Sequence, residues 1–296
     1  AATFKDDSGN VFIFAGDATK LYKKTANLFV DESGGTTFST TSNNYWDFIK
    51  FGETVIAFNG TQAPQAWTMG TSSDFAALSG SPPTFRHAAV VSNFVVTGFQ
   101  GTAQNTGVVG GQYGLIFQEN RITRMDFRGG NVIFSFRRIE DNRGAVQGKN
   151  VIKVGNMVYF LSEDGFYVTD GNTSKPIGNG KVDRFFQADL KRDLRERVRA
   201  SVDQENKLVC WSYPSRTGLT ASTQNDKILV FHYETGRWSI VEIDHELMFQ
   251  NLSEGQTLEQ LDDFPSAGTD NIDLINISFD DAGFSGGLPS FSVFNS

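Results

Sequence analysis

Short strand-like runs separated by turn residues recur along these 296 residues at blade-sized intervals, and this repeat limits the possible folds more than any other feature. Val11 to Phe14 follows Asp7-Ser8-Gly9-Asn10 and precedes a second run ending near Leu21-Tyr22, a hairpin with its turns in place. The same order returns at Trp46 to Phe51, turn Gly52-Glu53, Thr54 to Phe58, and at Phe85 to Val91, turn Ser92-Asn93, Phe94 to Gly98. It returns again at Val151 to Val154, turn Gly155-Asn156, Met157 to Leu161, Phe166 to Thr169. The last copy is Val198 to Val202, Lys207 to Ser212, Lys227 to Tyr233 and Arg237 to Ile243. The leading turns, counting the last at Glu205-Asn206, are 43, 40, 63 and 50 residues apart. A period of about 40 to 50 residues holding some four strands is the sequence form of a propeller blade. The 63-residue gap holds a further set, Gly114 to Gln118, Arg121 to Phe127 and Val132 to Arg138, which reads as one blade with irregular connections. The expectation is all-β: a β-propeller-like body of repeated four-stranded blades with one amphipathic helix insertion. A pair of β-sandwiches stays open as the alternative.

The body spans residues 1–243. The helix is expected over about 182–198, where Val182, Phe185, Phe186, Leu190, Leu194 and Val198 recur at three- and four-residue steps. Arg192 with Glu196 and Asp193 with Arg197 supply i,i+4 pairs on the other side. Residues 244–296 form a C-terminal extension. Asp244 to Phe264 is acidic with weak helical character, and the Gly/Ser/Asp-rich stretch from Asp270 carries no assignable pattern.

Among the residues that carry chemistry, a single cysteine excludes an internal disulfide or a Cys-ligated zinc cage, and Cys210 between Val209 and Trp211 reads as a small buried hydrophobe. His87, His232 and His245 lack metal-ligand spacing. Gly107, Gly110, Gly111 and Gly114 precede a strand rather than a helix, so they do not form a phosphate loop. Paired acids such as Glu163-Asp164 lack calcium-loop spacing, and Ser162-Glu163-Asp164-Gly165-Phe166 breaks the Ser-x-Asp-x-Gly-x-x-Trp turn of sialidase-type propellers. The chain is therefore expected to have no catalytic, cofactor or metal residues and not to be an enzyme. Lys191, Arg192, Arg195 and Arg199, with Arg197, form the candidate contact to another subunit or to DNA. Asp189, Asp193 and Glu196 interrupt them, which favours a salt-bridged helix face over a phosphate-binding stripe. A net charge of −8 argues against a surface that grips phosphates throughout. No apolar run reaches the ~18 residues of a membrane span, and the first residues lack the pattern of a signal peptide, so a soluble chain without a membrane anchor is expected.

Several segments, in order, carry a resemblance: NNYWDFIKFGETVIAFNG (Asn43 to Gly60), RHAAVVSNFVVTGF (Arg86 to Phe99), VGGQYGLIFQENRITRM (Val109 to Met125), RIEDNRGAV (Arg138 to Val146), VGNMVYFLSEDGFYVTDG (Val154 to Gly171), PIGNGKVDRFF (Pro176 to Phe186) and ILVFHYETGRWS (Ile228 to Ser239). Together they resemble the tail hub or nozzle proteins of short-tailed bacteriophages, also called DNA-stabilisation proteins. The resemblance implies a propeller assembled as a homo-oligomeric ring, a hexamer, below the portal and its adaptor. Tail fibre or needle proteins would be its other partners, and genomic DNA would pass through the lumen without sequence specificity. It also implies a structural role in the virion tail, assembled in the host cytoplasm, with no cofactor. Phe75, Phe284 and Phe291 are candidates for exposed interface aromatics. The chain departs from the family pattern between Phe99 and Gly110: where relatives carry a longer Trp-, Asn- and Asp-rich segment, it has only GTAQNTG, either truncated in the protein or incomplete in the chain. The alternative function is a propeller-type receptor-binding or glycan-recognising tail protein.

Overall fold

Apolar runs bounded by turns become antiparallel ladders, each joined to the next by the turn chemistry visible in the sequence. The computed structural model describes residues 1–26, 28–40, 44–98, 107–217, 224–252 and 289–294. The first blade is β1 (Ala2–Lys5), β2 (Val11–Gly16), β3 (Leu21–Thr25) and β4 (Leu28–Asp31); the second is β5 (Asp47–Phe51), β6 (Thr54–Phe58), β7 (Gln65–Thr68) and β8 (Ala76–Ala77). A two-stranded hairpin follows, β9 (His87–Val91) and β10 (Phe94–Gly98). The third blade is β11 (Gly107–Val109), β12 (Tyr113–Gln118), β13 (Arg121–Phe127) and β14 (Phe134–Asp141); the fourth is β15 (Ile152–Val154), β16 (Met157–Ser162), β17 (Gly165–Thr169) and β18 (Ser174–Pro176). After a short helix, α1 (Asp183–Asp189), comes the fifth blade, β19 (Arg199–Asp203), β20 (Leu208–Tyr213), β21 (Asn225–His232) and β22 (Arg237–His245). A second hairpin, β23 (Leu247–Leu252) with β24 (Pro289–Phe294), completes the described chain.

Five four-stranded sheets, each in sequential order, stand in a ring as a five-bladed β-propeller, so the sandwich alternative falls. Each blade's first strand is innermost. β1 touches β5, β5 touches β9, β9 touches β11, β15 touches β19, and β23 lies between β19 and β1. The copy read at Phe85 to Gly98 is therefore a hairpin wedged between the second and third blades, and the long gap after it holds a complete blade. Three of the turns that mark the repeat are two-residue loops with left-handed backbone at the first position, at Gly52 (φ 57°), Ser92 (φ 52°) and Gly155 (φ 58°).

Middle strands are buried on both faces because neighbouring blades cover them, which is why MVYFLS, GFYVT and LVCWSY read as unbroken apolar runs. The core is divided among the interfaces between adjacent elements. Phe14, Trp46, Phe48, Trp67 and Phe75 fill the first; Ile56, Phe58 and Phe85 pack the second blade on β9 and β10. Leu115, Phe117, Val158, Phe160 and Tyr167 join the third and fourth blades, and Phe166, Phe186, Trp211, Tyr213 and Phe231 join the fourth and fifth. Cys210, Ile228 and Met248 seal the fifth blade against β23. The buried Cys210 thiol is pushed up to about 12 by desolvation, consistent with a packing role.

The structure corrects three local expectations. The helix expected over 182–198 is α1 followed by a 3₁₀ turn at Arg192–Arg197, with extended backbone at Leu190 (ψ 128°) and Lys191 (ψ 93°) between them. Tertiary bonds win there. Leu190 bridges Ser215, Lys191 N–H donates to the Pro214 carbonyl at 3.0 Å, and Arg216 N–H donates to the Asp189 carbonyl at 2.7 Å. Once the helix breaks, the Arg192–Glu196 and Asp193–Arg197 pairs lose their helical spacing, while the neighbouring Arg195 pairs with Glu163 of the fourth blade (3.6 Å). Secondly, the weak helix read from Asp244 is strand as far as Leu252, in β22 and β23; residues 253–288 lie outside the described residues. Thirdly, Phe75 is buried at 3% exposure among Phe14 and Trp67, and Phe291 packs beside Met248. Phe284 lies outside the described residues.

Candidate functional site

Because the first strand of each blade lines the axis, residues at the start of those strands gather at one end of it. Asp47 opens β5, His87 opens β9, Arg199 opens β19, and Lys149 sits in the 3₁₀ turn before β15. Together they line an axial cavity of about 300 Å³, to which Ser201 and Gln250 add neutral polar groups. The floor is tight at Gly148: any side chain there would collide with the His87 ring, so the space occupied by that ring requires glycine.

The electrostatics of the cavity are unbalanced. Two cations, Lys149 and Arg199, face one carboxylate, Asp47, and Lys149 Nζ reaches only 3.9 Å from Asp47 Oδ2. Arg199 has the Tyr45 ring for company, 4.1 Å from guanidinium carbon to ring centroid, and Lys149 lies 5.1 Å from the same centroid. Burial pulls the Lys149 ammonium down to about 8; Asp47 opposes this, while Arg199 and Arg86 add to it. Burial also draws His87 down to about 4, with Lys149 and Arg86 adding and Asp47 opposing, so its ring is neutral at pH 7. Burial alone would raise the Asp47 carboxyl, but Lys149, Arg199 and His87 outweigh it and hold the group below the ordinary range. Arg86 is anchored to the Asn44 side-chain oxygen.

The basic residues singled out in the sequence separate in space. Arg199 enters the axial cavity. Arg192 and Arg195 line a different depression with Glu163, Gln187 and Leu161, between the fourth blade and α1. Lys191 lies at the break after α1, its backbone tied to Pro214. Asp47, His87 and Lys149 were not among the candidates. Their one signal is position, a polar residue entering the first strand of a blade, and it becomes readable only when the inner strands are known.

A buried pair resembles catalytic geometry without access. His245 Nδ1–H donates to the Ile243 carbonyl at 2.8 Å, leaving Nε2 to accept from Ser212 Oγ at 2.6 Å, and Asn225 donates to the same oxygen. His245 and Ser212 are exposed by 0% and 1%, which makes the cluster a hydrogen-bonded brace. Among the described residues, no three His, Cys, Asp or Glu side chains converge as a metal cluster.

The outer rim is apolar to a degree unusual for a solvent face. β4 exposes Leu28, Phe29 and Val30. Where β10 meets the third blade, Phe94, Phe127 and Phe134 form a triangle of rings with centroids 5.3 to 5.8 Å apart. Phe136 and Val132 extend it at 63% and 60% exposure. β22 exposes Ile240, Val241 and Ile243 on an outermost strand.

No family model matches the chain, and no curated protein does. Similar solved structures include the dihydro-heme d1 dehydrogenase NirN in complex with DHE, at TM-score 0.50 and 10% identity, covering 83% of this chain and 56% of that one. A fungal alcohol oxidase of the AA5 family in complex with copper aligns at TM-score 0.50 and 11% identity, covering 84% of this chain and 69% of that one. This chain thus spans little more than half the length of the dehydrogenase. Both likenesses correct the expectation that the chain is not an enzyme. The same overall fold carries a dehydrogenase and an oxidase, so the propeller offers no argument against catalysis. At such identities they show the fold and assign no activity.

Proposed function

We propose that the chain is a subunit of a short-tailed phage tail, a nozzle or hub protein that joins copies of itself into a sixfold ring below the portal and adaptor. The carrying observation is the apolar rim. Contiguous exposed apolar surface marks association, and an outermost strand with free backbone groups is a liability unless something covers it. A closed ring uses head-to-tail contacts, in which one subunit offers two different surfaces. The aromatic triangle between β10 and the third blade and the β22 strand of the fifth are two such surfaces on one molecule. The sequence segments that follow one another from Asn43 to Ser239 add support, since the resemblance they carry implies a propeller of this kind. A net charge of −8 suits a wall along which DNA moves unheld, because it lowers adhesion of phosphates. In this reading the protein resides in the virion tail, and the fibre or needle proteins meet the ring at its far end.

The test is assembly. Light scattering on the purified protein, with negative-stain images, is expected to give a sixfold ring. Phe136→Asp and Ile240→Asp should each shift the population to monomer while leaving the far-UV spectrum unchanged. A wild-type chain that stays monomeric at high micromolar concentration and binds polysaccharide would overturn the nozzle reading in favour of glycan recognition.

A further inference from the structure

The axial cavity has a feature that ring assembly does not use. In a chain whose net charge is −8, the cavity on the axis concentrates positive charge, with Lys149 and Arg199 set against Asp47 alone. Neither cation has a carboxylate of its own, since Lys149 and Arg199 both draw on Asp47. Lys149 stands 3.9 Å from its carboxylate, at the outer limit of an ion pair, and Arg199 lies against Tyr45, over its ring and in a hydrogen bond with its side chain. A planar guanidinium offers paired donors that match the two oxygens of a carboxylate or phosphate. The neutral His87 ring, the Ser201 hydroxyl and the Gln250 amide supply further hydrogen-bonding groups on the same wall. About 300 Å³ is the lower end of the range for small-molecule sites.

We propose that the axial cavity binds the oxyanion group of a small molecule, a carboxylate or a phosphate, between Lys149 and Arg199. Bound there, the anion balances the second cation, while Asp47 keeps its place beside Lys149. Burial is the main cause of the lowered Lys149 ammonium, with Asp47 opposing and Arg199 and Arg86 adding to it, and an anion in the cavity would raise it again. The site is independent of the ring reading, since no residue of the apolar rim takes part.

Calorimetric titration of the full chain tests this with sodium phosphate, sodium citrate and a single-stranded oligonucleotide, each at constant ionic strength set by sodium chloride. Phosphate or citrate is expected to bind saturably with one site per chain, and the tighter of the two names the group. Lys149→Gln and Arg199→Gln should each weaken that binding at least about tenfold, the loss typical of a charge-assisted hydrogen bond. Arg195→Gln, in the other depression, should leave it unchanged. A second measurement needs no variant: acetylation of Lys149 in the wild-type chain, followed by peptide mass spectrometry, should slow in phosphate or citrate while the exposed Lys175 reacts as before. Absence of saturable binding by both small anions would overturn the proposal. So would affinity that both cavity substitutions leave intact, or oligonucleotide binding alone, which would point to an outer nucleic-acid surface.

Discussion

His87 is held in the uncharged form by enclosure and by the cations Lys149 and Arg86, with Asp47 pulling the other way, and this has a defined sign in stability. As pH falls through about 6.5 the unfolded chain takes up a proton on this residue, whereas the folded chain resists until about 4. Folding therefore loses stability on acidification across that window, by at most about 2 kcal/mol between pH 6.5 and 5 for this one group. His245, also lowered by burial, adds in the same direction. Thermal melts at pH 7 and 5 should show a smaller drop for His87→Gln than for wild type; identical drops would refute the assignment. At the neighbouring position the constraint is volume. Gly148→Ala must push the His87 ring aside, with an overpacking cost of about 1 to 3 kcal/mol, read as a lower urea midpoint. The combination with His87→Ala, which frees that space, should cost less than the two single changes added together.

At the scale of elements, the break after α1 shows how a buried ion pair overrides helical periodicity. Asp189 closes the helix, and its carboxylate accepts from Lys227 Nζ at 3.0 Å, Tyr213 OH at 3.0 Å and Thr217 Oγ1 at 2.9 Å. Burial works to raise the Asp189 pKa, but bonds from Lys227, Thr217 and Tyr213 outweigh it and keep the group below the ordinary range. The pattern Val182, Phe185, Phe186, Leu190, Leu194, Val198 was readable as one helix because periodicity reports only which side faces the core. It carries nothing about a partner such as Lys227, 38 residues further on. Asp189→Ala leaves the Lys227 ammonium in a site exposed by only 10%, with Glu242 at 3.6 Å as its remaining acid. The expected loss is about 3 kcal/mol in urea unfolding. Asp189→Leu combined with Lys227→Met should recover most of it, since removing both charges avoids an unpaired one. A double variant as unstable as the single one would show that the contact matters for shape rather than charge.

For the whole molecule, the blades were legible because each repeats the same turns, Gly52-Glu53 and Gly155-Asn156 among them, next to strands buried on both faces. The axial cavity was not. Asp47 and His87 lie within sequence segments that attracted notice for other reasons, and 40 residues separate them, yet only ring closure brings them to one wall. Closure depends on β23, which enters between β19 and β1, so that Thr3 Oγ1 donates to Asn251 Oδ1 at 2.8 Å across 248 residues of chain. Met248 on that strand is 4% exposed and packs against Cys210 and Ile228 of the fifth blade. A propeller held shut at one seam should loosen there first, because stability is distributed locally rather than evenly. Met248→Ala is expected to cost about 2 to 5 kcal/mol, as for other buried methionines truncated in a packed core. Hydrogen exchange separates the seam from a general weakening: amides of β1 and β19 should lose protection in Met248→Ala well before those of β12 and β13 on the third blade. Equal loss around the ring would mean that the blades unfold as one unit and that β23 has no special part in closing it.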